Sequence, residues 1–303
     1  MAWNYDKRHI DELIMQYVPA RAGLQKTVCD AMADAVEAGG KRVRPILIYE
    51  TYRFFAGEAA RDEIPAPFMA AMEMIHTFSL IHDDLPCMDN DVLRRGQPTT
   101  WVTYGEDMAT LAGDALALEA FAVCAAAAER MEDCRTGIRA ARILAEKSSI
   151  GGMIGGQTVD VEKTGQPLTQ EELDFIYRLK TGALLEASMM MGAVLGGASE
   201  EELRTVERIA ANVGMAFQIQ DDILDETASQ EDLGKPLHSD QENGKTTFVT
   251  LYGLKEAREA VLRCSKEAET LLTELAEGRA AEGRPADASR IGELIAALTV
   301  RDR

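Results

Sequence analysis

Apolar residues recur at helical spacing along almost the whole chain, in runs from Ile10 to Val18, Phe68 to His82, Met108 to Met131, Ile138 to Ser149, Leu173 to Val194 and Leu203 to Leu224. These runs are rich in Ala, Leu, Met and Glu, which are strong helix formers, and period-two alternation is hard to find. The pattern predicts an all-α fold, a single large helical bundle. Short loops such as Lys163 to Leu168 separate the runs, and Thr169 with Glu172 reads as a capping box opening the next helix. The sequence has no Pro/Gly/Ser-rich linker and no repeat of fixed period, and the alanine patch at 125–128 reads as close helix packing. One domain over residues 1–303 is the expectation, although the length alone would allow two.

Charge narrows the choice of ligand. The chain carries 32 Lys and Arg against 51 Asp and Glu, a net charge of −19. A nucleic-acid binder neutralises phosphates with a positive footprint, which this balance excludes. The polar start, Met1 to Ile10, has no apolar signal core behind it. No stretch was expected to reach the roughly 18 apolar residues of a membrane helix, residues 120–128 being too short and residues 184–198 interrupted by Glu186. Five cysteines, odd in number and without C-x-x-C spacing, point to a reduced, cytoplasmic chain with no zinc site.

Two acidic clusters end two of the apolar runs. In Asp221-Asp222-Ile223-Leu224-Asp225, Asp221 and Asp225 fall about 40° apart on one helix face, with Asp222 beside them. Stacked carboxylates repel unless a cation binds between them, and taken alone this cluster reads equally well as a solvated acidic face. The other cluster, the first along the chain, is His82-Asp83-Asp84-Leu85-Pro86-Cys87-Met88-Asp89-Asn90-Asp91. On an ideal helix Asp83 and Asp89 would sit about 240° apart. Pro86 disturbs the turn, and if two residues bulge out there, Asp89 takes the place of an i+4 partner of Asp83. Carboxylates with no histidine or cysteine chemistry among them suit Mg²⁺ bridging to phosphate oxygens, so Cys87 is given no role.

The cations are few and close by. Arg94 and Arg95 follow the first cluster, and Gly39-Gly40-Lys41-Arg42-Val43-Arg44-Pro45 places three cations after a double glycine at an expected helix start. Such a start makes an anion site, although the segment alone also reads as a solvated loop. Lys180, Lys235 and Lys245 are isolated. Gly244-Lys245-Thr246 imitates the end of a P-loop, but Ser239 stands where that pattern needs glycine and no strand precedes it.

Together these residues resemble the trans-isoprenyl diphosphate synthase family. The likeness rests on SLIHDDLPCMDNDVLRRG (79–96), FQIQDDILD (217–225), GGKRVRP (39–45), EMIH (73–76), GGQTVD (155–160), Lys180-Thr181 and Asp232 to Lys235, in the family's order. It extends from about residue 5 to the C-terminus, and the two extra residues before Asp89 are similar to the bacterial and plastid short-chain branch. The resemblance implies an isoprenoid synthase bundle around a central apolar cavity. It implies a homodimer that condenses isopentenyl diphosphate with dimethylallyl or geranyl diphosphate, using three Mg²⁺.

Carried over by position, Lys41, Arg44, His76 and Arg95 would bind isopentenyl diphosphate. Arg94, Lys180, Thr181, Gln218 and Lys235 would bind the allylic diphosphate, with Lys245 a weaker candidate. Asp83, Asp89, Asp221 and Asp225 would serve the metals, Asp84 and Asp222 orienting ligands or waters, and Asp83, Asp89, Asp221 and Lys180 would carry catalysis. The departing diphosphate would take the proton, since no side chain is an evident base. Two positions depart from the family's pattern: Val92 replaces an aspartate and Trp101 a histidine. Phe78, five residues before Asp83 and about 7.5 Å down the helix, would floor the cavity. It is also readable as core packing. The family associates an aromatic there with a C15 product, so farnesyl diphosphate is expected and C20 geranylgeranyl diphosphate is the alternative. A class I terpene cyclase would carry a different second metal motif and no Gly39-to-Arg44 segment. An inactive partner subunit would have lost one cluster.

Overall fold

Helix α10 (Ala183–Leu195) is buried around its whole circumference and mostly apolar, its one charge, Glu186, being paired with Lys147. A helix of that kind must be enclosed by others. It packs against α3 (Val43–Ala56), α7 (Cys134–Ser148) and α11 (Glu200–Thr227), while α4 (Ala66–Asp83) packs against α3 and α6 (Glu106–Arg130). The computed structural model describes residues 7–227 and 246–299. Around this centre stand α1 (Lys7–Met15), α2 (Lys26–Glu37), the short α5 (Thr100–Tyr104), α8 (Met153–Glu162), α9 (Gln170–Ile176), α12 (Phe248–Ala281) and α13 (Ser289–Thr299). Among the described residues the only extended structure is a two-residue antiparallel ribbon, Leu93–Arg94 against Gln97–Pro98, directly after the first acidic cluster.

All six apolar runs carry a helix, the first of them ending at Met15 and not at Val18, and the Thr169–Glu172 capping box is formed in both directions. The run from Leu173 to Val194 is not uniform, however. Between α9 and α10 the backbone widens into a π-helical turn, Tyr177–Gly182, which periodicity cannot reveal and which often marks a functional site. One sequence expectation is corrected: α6 is long and apolar enough, by length and composition, to cross a membrane. Alanines extend its apolar character well beyond residues 120–128, and one side of it (Ala109, Ala112, Gly113, Leu116, Ala120, Cys124, Ala128) is buried in the bundle.

Two apolar clusters form the interior. The larger is centred on α3, α4, α6 and α10; the smaller joins α9, the π-helical turn, the last half of α11 and α12 through Leu173, Tyr177, Ile219, Ile223 and Val261. The second cluster supports the Asp221 end of α11 from behind. Charges tie the far ends together: Arg279 of α12 donates to Glu202 of α11 at 2.6 Å and to the Phe55 carbonyl of α3 at 3.0 Å.

The approach of α10 to α3 depends on Gly192. A Cβ there would stand 2.4 Å from the Ile48 carbonyl oxygen, which is backbone and cannot yield. Gly192→Ala should therefore destabilise the fold by about 1–3 kcal/mol, the usual range for overpacking, seen as a lower denaturation midpoint in urea. An unchanged midpoint would mean that the two helices are free to separate.

Candidate active site

The first acidic cluster begins at the C-terminal end of α4, where the chain leaves the helix after Asp83. The Asp89 amide donates to the Asp83 carbonyl at 2.8 Å, while Met88 and Asn90 both donate to Leu85. The loop thus closes on itself, and Asp89 returns to the place that an i+4 residue would hold, as the spacing around Pro86 predicts. Burial, reinforced by Asp89, pushes the Asp83 carboxyl up to about 6 despite the opposing Lys180 charge. Asp84 is buried and receives Arg94 at 2.7 Å. Trp101 donates its indole N–H to the Asp91 carbonyl at 2.9 Å, so this departure from the family's pattern braces the loop. Val92 is exposed.

Helix α8 supplies two groups that were given no role from sequence. Gln157 donates to Asp83 at 2.8 Å, and Asp160 accepts from Lys180 at 2.6 Å. Their three-residue spacing puts both on one helix face, a signal present in GGQTVD. Gly156 permits the approach: a Cβ there would stand 2.2 Å from the Lys180 backbone nitrogen. The Gln157 Oε1 is buried without a hydrogen-bond partner.

The second cluster lies on α11, which packs against the π-helical turn. Gly214, Gln218, Asp221 and Asp225 recur at i, i+4, i+7 and i+11, a single stripe about 60° wide on α11. At its near end, a Cβ on Gly214 would stand 2.9 Å from the Gly182 Cα, and Thr181 donates to Gln218 at 2.8 Å. Asp221 and Asp225, both half-buried, follow one and two turns further along that stripe. One turn of backbone therefore carries Lys180, beside Asp83 and Asp160, and Thr181, against the α11 stripe.

Asp222 faces elsewhere. It is buried, accepts the Tyr177 hydroxyl at 2.5 Å, and accepts the Phe248 amide at 2.9 Å. Phe248 is the first residue of α12, whose amide has no partner within its own helix, so Asp222 pins the start of α12 to α11.

The anion-binding candidates fall into two groups. Arg44 and His76, 3.4 Å apart, share a cavity of about 600 Å³ with Asp83, Lys180 and Thr181. The remaining wall is mostly apolar: Phe78, Leu80, Met88, Met153, Ile154 and Val161. The Arg44 Nε is buried without a partner, and burial lowers this guanidinium to about 10, so it stays charged at neutral pH. His76 is held well below its usual value by burial and then by Arg44, so it is neutral. Behind it, Glu73 pairs with Arg42 at 2.5 Å, fixing Arg42 in a left-handed conformation (φ 50°) just before α3. Lys41 is exposed. Arg94 and Arg95 line a neighbouring cavity of about 420 Å³ beside Asp84, with Arg95 against Gly40. Lys235 and Lys245 lie outside the described residues.

The donor set fits Mg²⁺. Asp83 and Asp89 offer only hard oxygens, and burial has left Asp83 without full compensation by cations. Among the described residues no three metal-donor side chains form a ready-made cage. Mg²⁺ is commonly held by one or two carboxylates with substrate phosphates completing the shell, so these residues would hold it together with a diphosphate.

Asp222→Ala removes the acceptor that the Tyr177 hydroxyl and the Phe248 amide share. It should cost about 1–3 kcal/mol of stability, read from thermal or urea unfolding. No loss would show that Asp222 does not anchor α12.

A model of the polyprenyl synthetase family matches residues 25–280. Farnesyl diphosphate synthase of Geobacillus stearothermophilus is 43% identical over 256 residues, 84% of this chain and 85% of that protein. The heterodimeric geranylgeranyl pyrophosphate synthase large subunit 2 of Arabidopsis thaliana is 42% identical over 265 residues, 86% of this chain and 68% of that protein. A geranyltransferase of Helicobacter pylori, solved in complex with magnesium and isoprenyl diphosphate, superposes with a TM-score of 0.75 at 32% identity, over 96% of this chain and 93% of that one. With a family model covering most of its length and an all-α bundle that superposes on a solved relative, this chain belongs to the polyprenyl synthetase family.

Proposed function

We propose that this prenyltransferase condenses isopentenyl diphosphate with dimethylallyl and then geranyl diphosphate, head to tail, to give farnesyl diphosphate. The observation that carries this reading is the Tyr177–Gly182 turn. It sets a cation beside Asp83, and a hydroxyl on the stripe that carries Asp221 and Asp225, at the mouth of an apolar cavity. Similarity to synthases of both C15 and C20 products leaves chain length to the cavity itself, where Phe78 lines the wall.

In this reading Lys41, Arg44, His76 and Arg95 hold isopentenyl diphosphate, Arg44 and His76 lining the cavity together. Arg94, Lys180, Thr181, Gln218 and Lys235 hold the allylic diphosphate. Asp83, Asp89, Asp221 and Asp225 would hold three Mg²⁺, whose charge would neutralise the leaving diphosphate. Lys180 stands between Asp160 and Asp83, in place to donate to the leaving oxygens as their charge grows. The apolar wall of Leu80, Met88, Met153 and Ile154 keeps water from the allylic cation. The double bond of isopentenyl diphosphate attacks that cation, and the proton passes to the departed diphosphate. Asp84 holds Arg94 in place for that anion, whereas Asp222 holds Tyr177 and the start of α12 instead of orienting a ligand.

Asp83→Ala and Asp221→Ala should each lower kcat by about 10²-fold or more while the fold survives, measured with both C5 substrates and Mg²⁺. Turnover near that of the parent in either variant would overturn the metal assignment. Phe78→Ala should shift product from C15 toward C20 and longer, read by chromatography of the dephosphorylated alcohols. A parent chain that already makes C20 would show that Phe78 does not block the cavity.

We propose further that residues 1–303 act as one domain, in the cytoplasm, and as a homodimer. The five cysteines are free thiols, which suits a reducing compartment. Leu118 of α6 is 74% exposed and Ile138 of the adjacent α7 is 59% exposed, with Leu111 one heptad before Leu118 on the same face. Such an apolar strip, on a helix whose other side is core, suits a second copy. Sedimentation should give twice the chain mass, and Leu118→Glu should give the single mass. A monomer of full activity would refute the dimer.

A further inference from the structure

We propose that His82 is a positioning residue for product length: wedged against Gly113 of α6, it holds the Phe78 ring across the cavity. The inference rests on the reading of Phe78 as the cavity floor. Phe78 and His82 are i and i+4 on α4, and their rings meet edge to face, centroids 5.8 Å apart at 78°. Both line the cavity that contains Asp83. On its other side the His82 ring lies on the α6 backbone. A Cβ at Gly113 would stand 2.2 Å from His82 Nε2 and 2.4 Å from Cδ2, so any larger residue would push the ring away. Nε2 is 3.2 Å from the Thr110 carbonyl. A carbonyl can only accept, so Nε2 carries the proton and donates, which fixes the rotation of the imidazole.

Phe78 alone is a poor floor. It is only partly buried, and an aromatic χ1 change swings a ring out of the way at little cost. With the imidazole immobilised behind it, the Phe78 ring loses that freedom, and a growing chain meets a fixed obstacle. The specificity device is then a stack of three residues, Phe78, His82 and Gly113. It spans α4 and α6, and its middle member is the residue immediately before Asp83.

The test compares the ratio of C20 to C15 product, made from isopentenyl and dimethylallyl diphosphate with Mg²⁺, for the full chain and its variants. The ratio is taken among the products formed, so a change in total turnover does not move it. His82→Ala should raise the ratio roughly two- to tenfold, the factor to which such a ring contact corresponds. His82→Phe, which keeps a ring but cannot donate to Thr110, should fall between the parent and His82→Ala. Gly113→Ala should also raise the ratio, and adding it to His82→Ala should change nothing further, because the methyl fills space the imidazole has left. Gly113→Ala alone carries the test if His82→Ala fails to fold. A longer product from Phe78→Ala with no change from His82→Ala or Gly113→Ala would overturn the role of His82 and leave the floor standing. No change from Phe78→Ala would overturn the floor, and the role of His82 with it.

Discussion

Carboxylates gathered at the ends of two helices repel one another, and the repulsion grows as they are buried. Here Asp83 is held up to about 6 by burial, with Asp89 and Asp84 adding to it, against the opposing charges of Lys180 and Arg94. The rest of the site is arranged around that unfavourable cluster. Lys180 enters from the Tyr177–Gly182 turn, Gln157 donates from α8, and Arg94 is tied to Asp84. The remaining deficit of positive charge is what a divalent cation would supply, so burying these carboxylates together favours binding one.

Glycines set the geometry of this compensation. Lys180 reaches Asp160 because Gly156 lets α8 touch the backbone of the turn, and Thr181 reaches Gln218 because Gly214 meets Gly182 without a side chain between them. On the far wall Gly113 performs the same service for His82. Each of these contacts is backbone against backbone or ring against backbone, where packing is dense and a methyl group has no room. The apolar interior therefore controls the polar chemistry directly: how close the helices stand decides which charges meet.

The two carboxylate clusters also differ in what their second aspartate does. Asp84 holds a cation, Arg94, whereas Asp222 turns from the site to close the start of α12 through Tyr177 and Phe248. The D-D-x-x-D pattern thus combines functions of different kinds. Asp221 and Asp225 occupy the stripe that faces the turn, and the residue between them in the motif is structural, serving α12.

The helices themselves were legible in the sequence, because an apolar stripe every three to four residues can be buried in only one way. The Asp221/Asp225 face followed from the rise of the helix. The return of Asp89 to Asp83 followed from Pro86 and the two extra residues. Lys180 and Thr181 entered through resemblance. What periodicity could not show was the π-helical widening at Tyr177–Gly182, since one extra residue per turn leaves a burial pattern close to that of an α-helix. The long apolar span of α6 was missed because alanine contributes little in any short window yet accumulates over 25 residues. Gln157 and Asp160 lay in a quoted motif without roles, because their partners, Asp83 and Lys180, are distant in sequence. Local sequence fixes which groups a helix face carries. Which of those groups meet is decided by the approach of one helix to another, and that distance is a property of the packed whole.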